Sequence, residues 1–429
     1  MASPPDGAKG PTTSSNGQAQ KPQKSYAFPR SDHTPLAAGL RLGHTFLEGV
    51  GEGLWNVWNN AVECVWRPGE PYPHDLSGKV CIVTGGNAGI GFATARALAR
   101  RGAHVVLACR DRERAREAAE AIARTPPLPG CCGTPSPSPS SPPAPPPPLS
   151  VEALPLDLGR MDSVRAFAAD WRRGGRRLDL IVCNAGVMAP LQRTLTEDGL
   201  EVQFQVNFLS HWLLANQLLQ IEHERTAATH RDGSKSGPGS GSGSGSSPSR
   251  PGTRVVFVSS VVHRAGPLQW GDLLSESSYE PYITYGGSKL ATLIAAKELQ
   301  RRFDRHPELR RSDTAVAIHP GIARTALATA FFKDYGAAWA QGQPALQPLV
   351  RMWHAFMDTA GQAFLATTDQ TSARMLDACL GESSELAGGY LAMGRVYAPD
   401  QAAEDPTRAE QLWAVASRLT GYTPPPSLS

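Results

Sequence analysis

At 429 residues the chain has room for two or three domains, but many of its 37 prolines and 42 glycines gather in tracts 125–149 and 232–252, which can build no core, leaving enough for one well-buried α/β domain. A net charge of +3, from 42 Lys+Arg against 39 Asp+Glu, gives no ground for a nucleic-acid partner. Seven scattered cysteines lack metal-ligand spacing, no run approaches 18 uncharged apolar residues, and the first 30 residues lack the apolar centre of a secretory signal. These features fit an intracellular reducing compartment, cytoplasmic or organellar, with the chloroplast among the candidates.

Residues 1–34 are rich in Pro, Gly, Ser and Gln and read as a flexible tail, a transit peptide being the other reading although arginine is sparse. Residues 35–75 form an amphipathic segment and linker, with Leu36, Leu40, Leu47, Leu54 and Trp58 at helical spacing and further tryptophans at 55 and 66. Residues 35–66 thus suit either peripheral contact with a membrane surface or docking on the protein's own body. From residue 76 to 421, short β-branched runs alternate with helical ones, which predicts β-α-β units and a parallel sheet. Seven strands are expected, at 80–84, 104–108, 152–157, 179–183, 254–259, 314–319 and 389–393. Both low-complexity tracts follow a helix and precede a strand. They are therefore loop insertions at the amino-terminal edge of the sheet, whereas ligands bind outside the carboxyl-terminal edge. Residues 422–429 are a tail. The adjacent Cys131 and Cys132 read as a redox pair only weakly, because they fall in the first insertion.

Directly after the first strand comes Thr84-Gly85-Gly86-Asn87-Ala88-Gly89-Ile90-Gly91 and then a helical run. Gly85, Gly89 and Gly91 permit a tight turn, close approach of a pyrophosphate and packing of helix on strand, while the amides around Asn87 and Ile90 face phosphates. At the end of the second strand no acidic residue waits for a ribose 2'-hydroxyl. Arg110 stands there, suited to a 2'-phosphate and hence to NADP(H), or else paired at the surface with Asp111 or Glu113. Tyr285 and Lys289, four apart, share a helix face. A phenol with a free pKa near 10 serves as a proton donor and acceptor at neutral pH only if something favours its phenolate. An adjacent ammonium and a positive nicotinamide in a shielded cleft meet the requirement, on the order of 4 kcal/mol for about three pH units.

The order of these elements resembles the short-chain dehydrogenase/reductase family, in its retinol-dehydrogenase-like branch, across residues 76–421. Asp157-Leu158 after the third strand resembles the adenine-contacting pair. Asn184-Ala185-Gly186 resembles the fourth-strand motif, with Cys183 replacing its usual first Asn at the cost of a structural hydrogen bond. Asn207 matches the helix asparagine, Ser260 the catalytic serine, and Pro320-Gly321-Ile322 with Thr325 the segment at the nicotinamide end. The resemblance implies a Rossmann-type doubly wound, seven-stranded parallel sheet in a single domain with two low-complexity loop insertions. It also implies an NADP(H)-dependent oxidoreductase that needs no metal. Tyr285 would be the acid or base, and Lys289 would lower its pKa and bond the nicotinamide ribose. Ser260 would fix the substrate oxygen, and Asn207 would hold a relay water. The longer spacing from Ser260 to Tyr285 fits the branch, whose loop, here 266–281, borders the substrate. Leu327, Phe331, Phe332, Trp339, Leu346, Leu349, Trp353 and Phe356 fall where the family builds its lid, and read as an apolar site for a small lipophilic carbonyl or alcohol, or as helix core. The alternative is an NADPH-binding sensor or scaffold with little turnover, as in a chloroplast-envelope component of the family. A protochlorophyllide-reductase-like reaction is a third reading that no particular residue demands. Oligomeric state is left open.

Overall fold

Alternate residues of each strand feed opposite faces of one sheet, and two apolar cores result. In β1 (Val80–Thr84), Ile82 joins one core while Cys81 and Val83 join the other. The same division holds in β2 (His104–Cys109), where Val106 and Ala108 oppose Val105 and Leu107. Strands buried on both faces in this way are apolar throughout, which is why the β-branched runs were legible. This computed structural model describes residues 75–128, 131, 148–233, 252–306, 313–325, 327–329, 333, 347–359 and 365–428.

Between β1 and β2 runs α1 (Gly89–Ala99), and α2 (Arg112–Ala123) leads toward β3 (Val151–Pro155). Then follow α3 (Met161–Arg173), β4 (Leu180–Cys183), a π-helical turn (Phe204–Leu209) opening α4 (Ser210–Gly233), and β5 (Arg254–Val258). A 3-10 turn (Val261–Arg264) precedes α5 (Pro281–Arg305), after which come β6 (Thr314–His319), α6 (Gln347–Asp358), α7 (Thr368–Leu380), the short α8 (Ser383–Leu386), β7 (Tyr390–Ala392), β8 (Arg395–Val396) and α9 (Pro406–Thr420).

The strand order is β3-β2-β1-β4-β5-β6-β7-β8, parallel from β3 to β7. Side chains of α3, α4, α5 and α9 fill one core and those of α1, α2 and α7 the other, so the sheet is doubly wound. The eighth strand corrects the expected seven. It is a two-residue antiparallel return of β7, pairing Leu391 with Val396, too short to leave a periodic signal.

Strand order reverses between β1 and β4, where Cys81 pairs with Leu180 and Val83 with Val182. That register sets Thr84 beside the turn at Asn184. The insertions lie mostly outside the described residues, as do the tail and the segment at 1–74 and residue Cys132. Their described flanks run from the ends of α2 and α4 to the starts of β3 and β5, at the sheet edge opposite that turn. Of the described helices, none is long and apolar enough to cross a membrane.

Candidate active site

Six successive strand ends carry the residues singled out by sequence. Gly85 follows β1, Arg110 follows β2, Asp157 lies just past β3, Asn184 follows β4, Ser260 lies just past β5, and Pro320 follows β6. They lie along one edge because all six strands are parallel, and the crevice opens where the order reverses.

The glycine turn is built for a close-approaching group. Gly85 and Gly89 have φ of +66° and +55°, the left-handed region that glycine tolerates. A Cβ on Gly91 would collide with the Gly85 carbonyl oxygen, and one on Gly89 would come within 3.1 Å of Thr325 Cγ2. Thr325 therefore faces the turn across the crevice, although more than two hundred residues separate them. Ala88 caps α1 without a side-chain hydrogen bond, so the first amides of that helix, including Ile90's, are not claimed by a cap. These features fit the pyrophosphate of a dinucleotide. Arg110 is exposed at the β2 end. Glu113, one of its two expected surface partners, instead pairs with Arg116, and Asp111 accepts from the Arg114 amide to cap α2.

Asn184 holds the next strand end in place. Its side-chain amide donates to the Thr84 carbonyl at 2.9 Å, while its own main-chain N–H and that of Ala185 donate to Thr84 Oγ1. Cys183 is buried in the larger core, away from these bonds. Gly186 sits close to Asn207 and Lys289: a Cβ there would lie 3.0 Å from Asn207 Oδ1 and 3.6 Å from Lys289 Nζ. Asp157 accepts from the Gly159 amide, and the buried Leu158 offers its carbonyl to Ser210 Oγ at 2.6 Å. Past β6, Gly321 has φ +99°, and the Ile322 carbonyl accepts from Ala366, tying this segment to the approach to α7.

Tyr285, Ser260, Lys289 and Asn207 converge from the first turns of α5, the β5 end and the π turn. Ser260 caps the 3-10 turn by accepting from the Val262 amide at 3.3 Å, which leaves its hydroxyl proton for another acceptor. Its neighbour Ser259 is buried and donates to the Lys289 carbonyl, so only the second serine of the pair faces the crevice. Lys289 Nζ lies 5.8 Å from the Tyr285 ring centroid and donates to the Val258 carbonyl at 2.9 Å. Asn207 accepts from Val187 N–H and donates to both the Val187 carbonyl and Ser288 Oγ, and Ser288 donates to the Tyr285 carbonyl.

Electrostatics here differ from the expectation. Burial pushes the Tyr285 phenol above its ordinary pKa, outweighing a hydrogen bond with Ser260 that acts the other way. Burial also pulls the Lys289 ammonium down to about 8. The expected phenolate-favouring effect of Lys289 does not prevail in the protein alone, because removing both groups from water favours both neutral forms.

Several supporting residues left no usable signal in the sequence. His211 is buried inside an apolar helical run. Ala189, in the left-handed region at φ +44°, donates its amide to Gln203 Oε1, whose side-chain amide reaches Tyr279 OH; Tyr279 in turn donates to the Pro190 carbonyl. These bonds tie the 266–281 loop to the turn after β4. Gly266 and Gly286 let the loop and α5 touch backbone to backbone, since a Cβ on Gly266 would collide with the Gly287 amide and one on Gly286 with the Val262 carbonyl. Of the lid residues, Leu327, Leu349 and Phe356 are exposed, against their reading as core, while Phe331, Phe332, Trp339, Leu346 and the Trp353 side chain lie outside the described residues.

A doubly wound sheet with a glycine turn at the strand reversal and a Tyr/Lys pair beside it defines a nicotinamide-dinucleotide oxidoreductase. A sequence profile for short chain dehydrogenases matches residues 79–128. Retinol dehydrogenase 14 of Homo sapiens is 36% identical over 286 residues, spanning 66% of this chain and 73% of that protein. Retinol dehydrogenase 13 of Homo sapiens is 34% identical over 359 residues, spanning 83% and 88%. A solved structure, that of an uncharacterised protein from Mycobacterium paratuberculosis, matches with a TM-score of 0.54 at 28% identity over 82% of this chain and 97% of that one. The chain belongs to the short-chain dehydrogenase/reductase family, in its retinol-dehydrogenase-like branch. These relatives lend no support to a chloroplast setting.

Proposed function

We propose that the protein transfers hydride between NADP(H) and a lipophilic carbonyl or alcohol, with Tyr285, Lys289, Ser260 and Asn207 as its working set. The observation that carries this reading is that Asn207 and Lys289 meet beside Gly186, with the Tyr285 ring 5.8 Å from Lys289 Nζ and hydrogen-bonded to Ser260, on the same sheet edge as the glycine turn. A bound nicotinamide would supply or accept the hydride. Tyr285 would give its proton to the carbonyl oxygen in reduction and take it back in oxidation. Ser260 would hold that oxygen with its spare hydroxyl proton and stabilise charge developing there. Lys289 would bond the nicotinamide ribose and keep a positive charge beside the phenol, offsetting the burial that raises it. Asn207, fixed through Val187 and Ser288, would keep Lys289 and a relay water in register. Gly85, Asn87, Gly89, Ile90 and Gly91 would cradle the pyrophosphate, Asp157 and Leu158 would meet the adenine, Asn184, Ala185 and Gly186 would line the crevice floor, and Pro320, Gly321, Ile322 and Thr325 would close the nicotinamide end.

Support for a lipophilic substrate comes from the names of the related retinol dehydrogenases and from the apolar cluster of Ala189, Val262 and Ala265 around Tyr285, with Met188, Val261 and Tyr282 packed on it. Support for NADP(H) comes from Arg110, exposed at the end of β2. The test is consumption of NADPH and NADH with a panel of retinoid, steroid and lipid aldehydes, in wild type and Tyr285→Phe. Loss of roughly 100- to 10,000-fold in kcat is expected for the variant. Equal, negligible rates in both with NADPH still bound would replace the enzyme reading with that of a binder.

A further inference from the structure

The Asn207 carbonyl lies in the π turn, with His211 Nδ1 at 3.0 Å and Thr292 Oγ1 at 3.2 Å, the single Thr292 proton lying nearer the Ser288 carbonyl at 2.9 Å. A carbonyl oxygen only accepts, so in the neutral ring the His211 proton sits on Nδ1 and Nε2 carries the lone pair. Thr84 Oγ1 lies 2.9 Å from Nε2 and must donate to it. That hydroxyl has one proton, and this contact is shorter than its 3.3 Å approach to the Val182 carbonyl. Its lone pairs are taken by the Asn184 and Ala185 amides at 2.9 and 3.0 Å. Every donor and acceptor in the chain from Asn184 through Thr84 and His211 to Asn207 thus has a fixed direction. Thr84 and His211 are fully buried, where a hydrogen bond left unmade is costly.

We propose that His211 is a positioning residue, a neutral Nδ1–H strut that ties the end of β1, from which the glycine turn springs, to the backbone of Asn207. It touches neither substrate nor cofactor. Its work is to keep the Asn207 side chain, and through Ser288 the start of α5, in register with the turn that would hold the pyrophosphate. The inference rests on the reading of Asn207 and Tyr285 given above. Its physical basis is that Thr84 and Asn207 are 123 residues apart in sequence and belong to elements that meet at the strand reversal, the place where cofactor and acid must be aligned. A nonpolar residue at 211 would leave the Thr84 hydroxyl only the longer 3.3 Å contact with the Val182 carbonyl and take from the Asn207 carbonyl its His211 donor.

The first test needs no turnover. In full-length protein labelled with 15N at histidine, the His211 ring, assigned by its loss in His211→Asn, should show a protonated Nδ1 and a bare Nε2, and the Nε2 signal should shift in Thr84→Val. An Nε2-protonated tautomer, or no response to Thr84→Val, would overturn the proposal. In the second test, His211→Leu should lose between about 10- and 100-fold in kcat with KM for the carbonyl substrate held within about twofold, as expected for misplacement rather than lost binding. His211→Asn, whose amide can still donate to the Asn207 carbonyl, should recover most of that loss. Unchanged kcat in a His211→Leu protein that merely melts earlier would make the residue structural only. If His211→Leu does not fold, His211→Asn and Thr84→Val are read in its place, with each expected to reduce kcat and the double variant expected to reduce it by less than the product. Independent effects in that pair would count against the strut. A Tyr285→Phe protein with wild-type turnover would instead remove the underlying reading while leaving the tautomer result intact.

Discussion

Lys289 has a pKa drawn down to about 8 by burial, which places its loss of charge within an accessible pH range. Below that value it is an ammonium beside a protonated Tyr285, the combination needed for carbonyl reduction. As pH rises through about 8 the charge disappears, so kcat/KM for reduction should fall on that limb, as a pH series of initial rates would reveal. Arg110 gives a second expectation at this scale. Replacing it with Ala should cost about 10- to 100-fold in NADPH affinity, the worth of charge-assisted hydrogen bonds, and leave NADH affinity unchanged in a fluorescence titration. Histidine burial gives a third. His263 donates from Nδ1 to the Ser260 carbonyl and accepts from the Asp400 amide, and its pKa is lowered to about 4, chiefly by desolvation, with Arg264 and His319 adding to the shift and the Ser260 bond and Asp400 opposing it. His211 is likewise lowered to about 4. An unfolded histidine takes its proton near pH 6.5, well above the folded one. Stability is therefore full above about pH 6.5 and declines as pH falls toward 4, by on the order of 3 kcal/mol for each ring. Urea midpoints at pH 7 and pH 5 should differ accordingly, and His263→Asn should narrow the difference.

At the scale of elements, α5 is the one whose placement matters most, because it carries Tyr285 and Lys289 and is held from several sides. Glu280 caps it by accepting from the Ile283 amide, and Pro281 stands at its first position. Its distance from the 266–281 loop was not legible. Gly286 is flanked so closely by Gly266 and the Val262 carbonyl that a methyl group would meet backbone at 2.5 Å and 2.8 Å. Gly286→Ala should destabilise the protein by about 1–3 kcal/mol, as overpacking does, and lower kcat by displacing the phenol. Denaturant melts and turnover on the same preparation test both. The π turn is a similar case. Its sequence, Phe204–Leu209, looks like ordinary helix, and the bonds that hold the Asn207 side chain within it, to Val187 and Ser288, come from elsewhere in the chain.

For the molecule as a whole, strand direction places the described flanks of both inserts away from the chemistry. The chain leaves α2 and α4 and re-enters β3 and β5 at the edge opposite Ser260 and Asn184. Replacing residues 132–147 and 234–251 by short Gly/Ser linkers should leave the melting temperature within a few degrees and kcat unchanged, since loop closure depends only weakly on length. Loss of activity with retained fold would mean that an insert reaches the site. Sequence by itself determined the parallel sheet, because strands buried on both faces must be apolar and β-branched, and it determined the glycine turn and the Tyr285/Lys289 pair, because a tight turn and a four-residue helical spacing are local matters. Tertiary structure alone decided which way burial moves the phenol and ammonium, and that Thr84, His211 and Asn207 share one chain of hydrogen bonds. Desolvation and hydrogen-bond direction depend on atoms brought together from distant parts of the chain, and no local pattern records them.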